Sequence, residues 1–413
     1  MLNQQGHAVG LDIGTSRVRC VIGEAAEDGK MNVVGIGQAE SKGLRSGIVT
    51  TAKAVVESIS KAIEEAERVS GIEIQAATVN LSGEHLQGES KSGVVAVAGA
   101  GREISDDDVE RAIESASAMQ LPAGWEIVDR LPQEFIIDGQ DGITEPIGMR
   151  GSRLEALVHV VSSPSAASQN IIKAVNNAGL EIEQMILEPL AASTGTLTDD
   201  DTEYGCALVN MGSEITSMMI FGRGAVQHTA VFPFGGMQFT KDIATGLRVS
   251  ISDAEKIKRR TGCVAGFLLS DDERNEAIEI TPVGRSETRE LSKEILCDIL
   301  QPRAVELLQY IAQEVAGSGQ QISSGVILTG GTSSIRGMVE VAEQVFDAPT
   351  RVGYPREDLL GGLLDGLHSP EWSVAVGLAL TSLRSGAGSG SGSGRSAGRK
   401  VAEWFENFRG KFK

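Results

Sequence analysis

One pattern occurs twice in this chain, and it constrains the fold more than any other feature. In each occurrence an apolar segment ends on a small polar turn, and a second apolar segment follows at once. The first reads Gly10-Leu11-Asp12-Ile13-Gly14-Thr15-Ser16-Arg17, between apolar segments 8–13 and 17–23. The second, about two hundred residues later, reads Val209-Asn210-Met211-Gly212-Ser213-Glu214-Ile215-Thr216-Ser217, between segments 206–209 and 218–221. Then Leu328-Thr329-Gly330-Gly331-Thr332-Ser333-Ser334 leads from an apolar segment at 324–328 to a helix starting near Gly337. Short apolar runs bounded by glycine and small polar residues read as strands joined by tight turns. Glycine lets backbone approach a phosphate closely, and N–H groups and hydroxyls of such turns can donate to it. Asp12 cannot bind phosphate, but it can hold Mg²⁺ directly or through water. Taken singly, each motif also suits an ordinary hairpin or glycine turn.

Between these turns, strand and helix patterns alternate. Val55, Val56, Ile59, Ile63 and Ala66 recur at helical spacing over 51–69. Ser105 precedes Asp106-Asp107-Asp108, an acidic first turn that suits a helix dipole. Residues 168–179 read as a helix closed by Gly179, and 303–316 as another. The alternation predicts an α/β fold with helices packed on mixed sheets. With 413 residues, the chain forms two or three domains or one large bilobed unit. A net charge of -19 argues against nucleic acid as a partner, because phosphate-backbone binding needs a basic surface. Cys20, Cys206, Cys263 and Cys297 lie far apart, which predicts neither a zinc site nor a disulfide framework. No basic start followed by an apolar run marks a signal peptide, and no run of eighteen apolar residues predicts a membrane span.

The C-terminal region obeys different rules. Residues 385–398, SGAGSGSGSGRSAG, cannot bury a core and read as a flexible tether of roughly 20 Å root-mean-square span. In 399–413, RKVAEWFENFRGKFK, the residues Val401, Trp404, Phe405, Phe408 and Phe412 share an arc of about 100° on a helix. Lys400, Arg409 and Lys411 lie off that arc. A short amphipathic helix with aromatics on one face and cations around it suits an anionic lipid surface. The competing reading is a helix that docks on the body or on a partner protein.

Two strand–turn–strand phosphate loops followed by a Gly-Gly loop resemble the plan of the actin, Hsp70 and sugar-kinase superfamily, in which two similar halves clamp ATP. Within it the chain resembles the FtsA family of bacterial cell-division proteins. The resemblance rests on GLDIGTSRVRCVIGE, GLRSGIVTTAKAVVESISKAIEEAE, ILEPLAAS, GGMQFTKDIATGLRVSISDAEKIKRRTGC, GVILTGGTSSIRGMVEVAEQVF and SPEWSVAVGLAL. The segment Lys241 to Gly262 is the most specific. The resemblance implies a bilobed actin-like fold with an inserted subdomain in the first half and a C-terminal amphipathic helix. The first half would comprise 1–83 and 164–200, completed by about 350–384, with the insert at 84–163. The second half would span 201–349, including a smaller subdomain at about 242–304.

The same resemblance assigns residues. Gly14, Thr15, Ser16 and Arg17, with Asp12, would form the first phosphate loop and magnesium site, and Gly212 and Ser213 would belong to the second. Glu255, Lys258 and Arg259 share one helix face by their i, i+3, i+4 spacing. By resemblance that face holds adenosine, although an intrahelical ion pair on a solvated face has the same spacing. Gly330, Gly331 and Thr332 would close over the base. Glu188 would orient the attacking water, or else serve as a charge at a helix start. Asn210 stands where the superfamily carries Asp, and Glu214 adds a charge beside the phosphate position, which implies ATP binding with at most slow hydrolysis. The implied function is to anchor the tubulin-like protein FtsZ, through its C-terminal tail, to the cytoplasmic face of the membrane at the division site. The FtsZ surface is expected at 242–304, and longitudinal self-association is implied. A type IV pilus adaptor related to PilM, or a kinase or phosphatase on the same fold, are the alternatives.

Overall fold

The computed structural model describes residues 7–97, 102–284 and 287–387. The membrane-helix expectation, with Val401, Trp404, Phe405, Phe408, Phe412, Lys400, Arg409 and Lys411, falls outside the described residues.

Two sheets share one topology. In the first, His7–Ile13, Arg17–Ala25 and Met31–Glu40 form an antiparallel meander, and Ala76–Leu81 then Glu181–Leu187 add in parallel beside His7–Ile13. In the second, Cys206–Met211, Thr216–Gly222 and Ala225–Phe232 form the meander, and Val326–Thr329 then Thr350–Val352 add in parallel beside Cys206–Met211. The first sheet gains a sixth strand, Leu360–Gly362, next to Met31–Glu40. The chain therefore builds the same half twice, as the repeated turn predicts.

Both faces of the first sheet are covered. Successive strand residues point to opposite faces. Val9, Leu11 and Ile13 meet Val55, Ile59 and Ile63 of helix Ala52–Ser70 on one face. On the other, helix Ser373–Ala387 lies so close that a Cβ on Gly10 would stand 2.2 Å from the Ala375 carbonyl oxygen. The same helix crosses Glu188–Thr196, where a Cβ on Gly377 would meet the Ala191 carbonyl oxygen at 1.7 Å. Leu187, Ala191, Leu208, Phe221, Val374 and Leu378 join in one buried cluster drawn from both halves. These two crossed helices form the spine between them.

The insert is a separate layer. Gln87–Ala96, Arg153–Pro164, Trp125–Ile137 and Gln140–Ile143 form a four-stranded antiparallel sheet. Helix Asp106–Ser117 covers it, opened by Ser105 in a reciprocal cap with Asp108.

Two expectations need correction. The helix expected at 303–316 is Lys293–Ser318 and contains Pro302. Leu296, Cys297 and Leu300 are buried ahead of the proline, and this packing outweighs the missing hydrogen bond. Helix Ser373–Ala387 also runs three residues into the stretch read as a Gly/Ser tether. Among the described residues, no helix is long and apolar enough to cross a membrane.

Candidate functional site

The two glycine turns face each other across a cleft of about 330 Å³. In the first, the Gly14 amide donates to the Arg17 carbonyl at 3.1 Å; in the second, the Gly212 amide donates to the Ile215 carbonyl at 3.0 Å. A Cβ on Gly14 or on Gly212 would stand 2.8 Å from those same carbonyl oxygens, so neither turn tolerates a side chain there unchanged. The third glycine segment closes the cleft from above. Gly330 has φ +82°, a conformation that suits only glycine well, and Thr332 Oγ1 donates to the Gly212 carbonyl at 2.8 Å.

Asp12 is the penultimate residue of the first strand and is 5% exposed. Asn80 Nδ2 donates to its Oδ1 at 3.0 Å, and the Asn80 amide oxygen accepts from the Ile13 amide at 2.7 Å. Burial pushes the Asp12 carboxyl up to about 6, partly offset by Arg19, whose guanidinium lies 3.9 Å away. Arg19 pairs with Glu371 and lies over the Trp372 ring.

Glu188 heads the helix between the halves and touches both. Its carboxylate accepts from Ser82 Oγ at 3.0 Å in the first half. It accepts from Ser217 Oγ at 3.0 Å and Asn210 Nδ2 at 2.6 Å in the second. Burial, and then the neighbouring Asp12 charge, push it up to about 7 against these three hydrogen bonds. It is far more than a charge at a helix start.

Across the cleft, helix Ile251–Thr261 presents Glu255, Lys258 and Arg259. Lys258 is buried, and its ammonium donates to the Gly236 carbonyl and Thr240 hydroxyl, both at 2.9 Å, and meets Glu255 at 2.7 Å. Burial works against the Glu255 charge, but hydrogen bonds from Lys258 and Thr240 prevail and hold it down to about 2. The intrahelical ion pairs exist, and the same face lines the cleft. Lys256 points outward and pairs with Asp253, so the cationic run at 256–260 divides between the cleft and the exterior.

The cleft is lined by Asp12, Gly14, Thr15, Ser16, Arg17 and Glu188 from the first half and the spine. Gly212, Ser213, Glu255, Lys258, Arg259, Gly330, Gly331 and Thr332 line it from the second. Every site residue singled out from the body sequence therefore meets in one place. Sequence reasoning missed Arg19, Ser82, Ser217 and Glu371. Two of these had a signal. A tight turn after residue 13 sets Arg19 opposite Asp12 in the ladder, and the second turn sets Ser217 opposite Asn210.

Comparison with known proteins gives consistent findings. Residues 207–377 match the family model described as cell division protein FtsA, and 83–162 match the SHS2 domain inserted in FTSA. The cell division protein FtsA of Pseudomonas aeruginosa is 42% identical over 91% of this chain and 89% of its own. That of Neisseria meningitidis is 38% identical over 92% and 90%, and that of Escherichia coli K12 34% over 90% and 89%. Among solved structures, a PilM–PilN type IV pilus biogenesis complex superposes with TM-score 0.67 at 18% identity, covering 91% of this chain and 98% of that one. MreB5 of Spiroplasma citri bound to ADP superposes with TM-score 0.55 at 13% identity, covering 94% and 100%. At such identities these two establish the actin-like fold alone.

Proposed function

The chain belongs to the FtsA family of actin-like cell division proteins, and from that premise we propose that it binds Mg-ATP between its halves and fastens FtsZ to the membrane. The observation that carries the nucleotide reading is the convergence of three glycine segments on one cleft between two topologically equivalent halves. The MreB5 structures of the same fold, bound to ADP and to AMPPNP, support it.

The residues fit the group. Glycines keep both turns bare, and the buried Arg19 Nε has no hydrogen-bond partner among the described residues. Asp12, with Glu188 beside it, would hold Mg²⁺, partly through water, and the ion would neutralise phosphate charge. The turns would receive phosphate oxygens. Glu255, Lys258 and Arg259 would face adenosine, under Gly330, Gly331 and Thr332. Asn210 stands where the superfamily carries Asp and donates to Glu188 instead of offering a second carboxylate to the ion, which supports at most slow hydrolysis.

The anchor reading rests on the sequence of 399–413, and the FtsZ surface is proposed on the smaller subdomain at 242–304. Longitudinal self-association would multiply weak single tails into firm attachment at the cytoplasmic face of the division site. The pilus-adaptor reading shares the fold with the PilM–PilN complex at 18% identity, whereas the FtsA relatives reach 34–42% identity over most of the chain. The test is cosedimentation of FtsZ with anionic liposomes, with the full chain or the chain lacking 399–413. FtsZ should pellet with lipid only when the full chain is present. Equal recovery with the truncated chain would overturn the anchor.

A further inference from the structure

Glu214 is the residue whose charge is out of place in a phosphate turn. The structure gives it another occupation. Its carboxylate accepts a hydrogen bond from the Ser46 amide at 2.7 Å, in the other half of the molecule. Ser46 and Gly47 form the two-residue turn of a small hairpin, Leu44–Arg45 paired with Ile48–Val49. Both have positive φ, +48° and +79°, as a hairpin turn of this hand requires. The strand pairing does not use the Ser46 N–H, which is therefore available to an outside acceptor.

The hairpin tip is itself fixed to the cleft. A Cβ on Gly47 would stand 2.6 Å from the Ser82 carbonyl oxygen, so the turn backbone rests directly on Ser82. Ser82 in turn donates to Glu188, and Glu188 accepts from Asn210, on the strand that leads into the second turn. The links close a ring: Glu214, Ser46, Gly47, Ser82, Glu188, Asn210 and back along the chain to Glu214. It passes twice between the halves, once through Glu188 and once through Glu214.

We propose that Glu214 is a positioning residue that latches the second glycine turn to the hairpin of the first half, and so sets how long the cleft retains its ligand. Opening the cleft requires the two turns to separate, and the Glu214–Ser46 bond must break as they do. A carboxylate accepting a backbone N–H is among the stronger hydrogen bonds. The proposal rests on the nucleotide reading for the identity of the ligand, but the latch itself does not.

The experiment compares the wild-type chain with Glu214→Ala and Glu214→Gln. Hydrogen–deuterium exchange of the peptide covering 44–50 reports the latch without nucleotide. Release of a fluorescent N-methylanthraniloyl-ATP reports retention. Glu214→Ala should speed exchange at Ser46 and quicken release by about tenfold. Glu214→Gln keeps a neutral acceptor and should fall between. Unchanged exchange in Glu214→Ala overturns the latch, and faster exchange with unchanged release overturns its role in retention. If the wild-type chain binds no analogue, the nucleotide reading fails with the retention role, and the exchange arm alone decides the latch.

Discussion

In the first glycine turn the closing hydrogen bond runs from Gly14 to Arg17 at 3.1 Å, and in the second from Gly212 to Ile215 at 3.0 Å. The backbones are superposable in kind, yet the strand residue before each turn differs. Asp12 is a buried carboxylate held by Asn80; Asn210 is an amide that donates to Glu188. The supports differ too. The first turn is tied to its own half through Asn80 and through Ser41, whose amide donates to the Ser16 carbonyl at 3.0 Å. The second is braced by the start of helix Gly236–Leu247, whose Gly236 and Met237 amides donate to the Gly212 and Ser213 carbonyls. Glycine fixes the shape twice, and side-chain chemistry diverges around it. An Asp at 210 would set a third carboxylate against Glu188, already raised by Asp12. The amide at 210 donates to Glu188 where a carboxylate would repel it.

That account makes Asn210→Asp the most damaging change at the turns. It removes a donor and adds a charge beside a buried carboxylate, at a cost of about 3 kcal/mol at pH 8. The loss should shrink at pH 5, where the extra carboxyl can take a proton; melting temperatures at the two pH values check this.

Next in size is the wild-type pH dependence. Glu188 is raised from 4.5 to about 7, and Asp12 from 3.8 to about 6, so the folded chain holds protons that the unfolded chain has lost. Their contribution is full below about pH 4 and disappears as pH rises through 7, roughly 3 kcal/mol for Glu188. Glu188→Gln should flatten urea-denaturation free energies measured from pH 5 to 8. An unchanged slope would remove Glu188 as its source.

Equivalence of the turns predicts equal penalties for Gly14→Ala and Gly212→Ala, about 1–2 kcal/mol each, from the clash of the new Cβ with a backbone oxygen. Urea midpoints that fell for only one variant would break the equivalence. The smallest effect separates the turns chemically. Asp12→Ala should weaken Mg-ATP binding about tenfold by calorimetry, while Asn210→Ala, which removes no magnesium ligand, should change it by less than about threefold.

Much of this was legible in the sequence, for identifiable reasons. The turns announce themselves because glycine and small polar residues interrupt apolar runs, and the apolar stripe from Val55 to Ala66 marks one buried helix face. The helix through Pro302 was not legible, since proline ordinarily ends a helix and only the buried Leu296 and Leu300 explain why this one continues. Arg19 and Ser217 could have been found by counting across each hairpin. Glu371 could not, because it reaches Arg19 from a segment 352 residues away. The partnership of Glu214 with Ser46, 168 residues apart, belongs to the same class.

The central claim is that both halves clamp one nucleotide. Hydrogen–deuterium exchange with and without Mg-ATP tests it most directly, read at peptides covering 10–17, 209–216 and 328–334. The account predicts that all three gain protection together, over the same range of nucleotide concentration. Protection confined to one half, or none at saturating Mg-ATP, would contradict it.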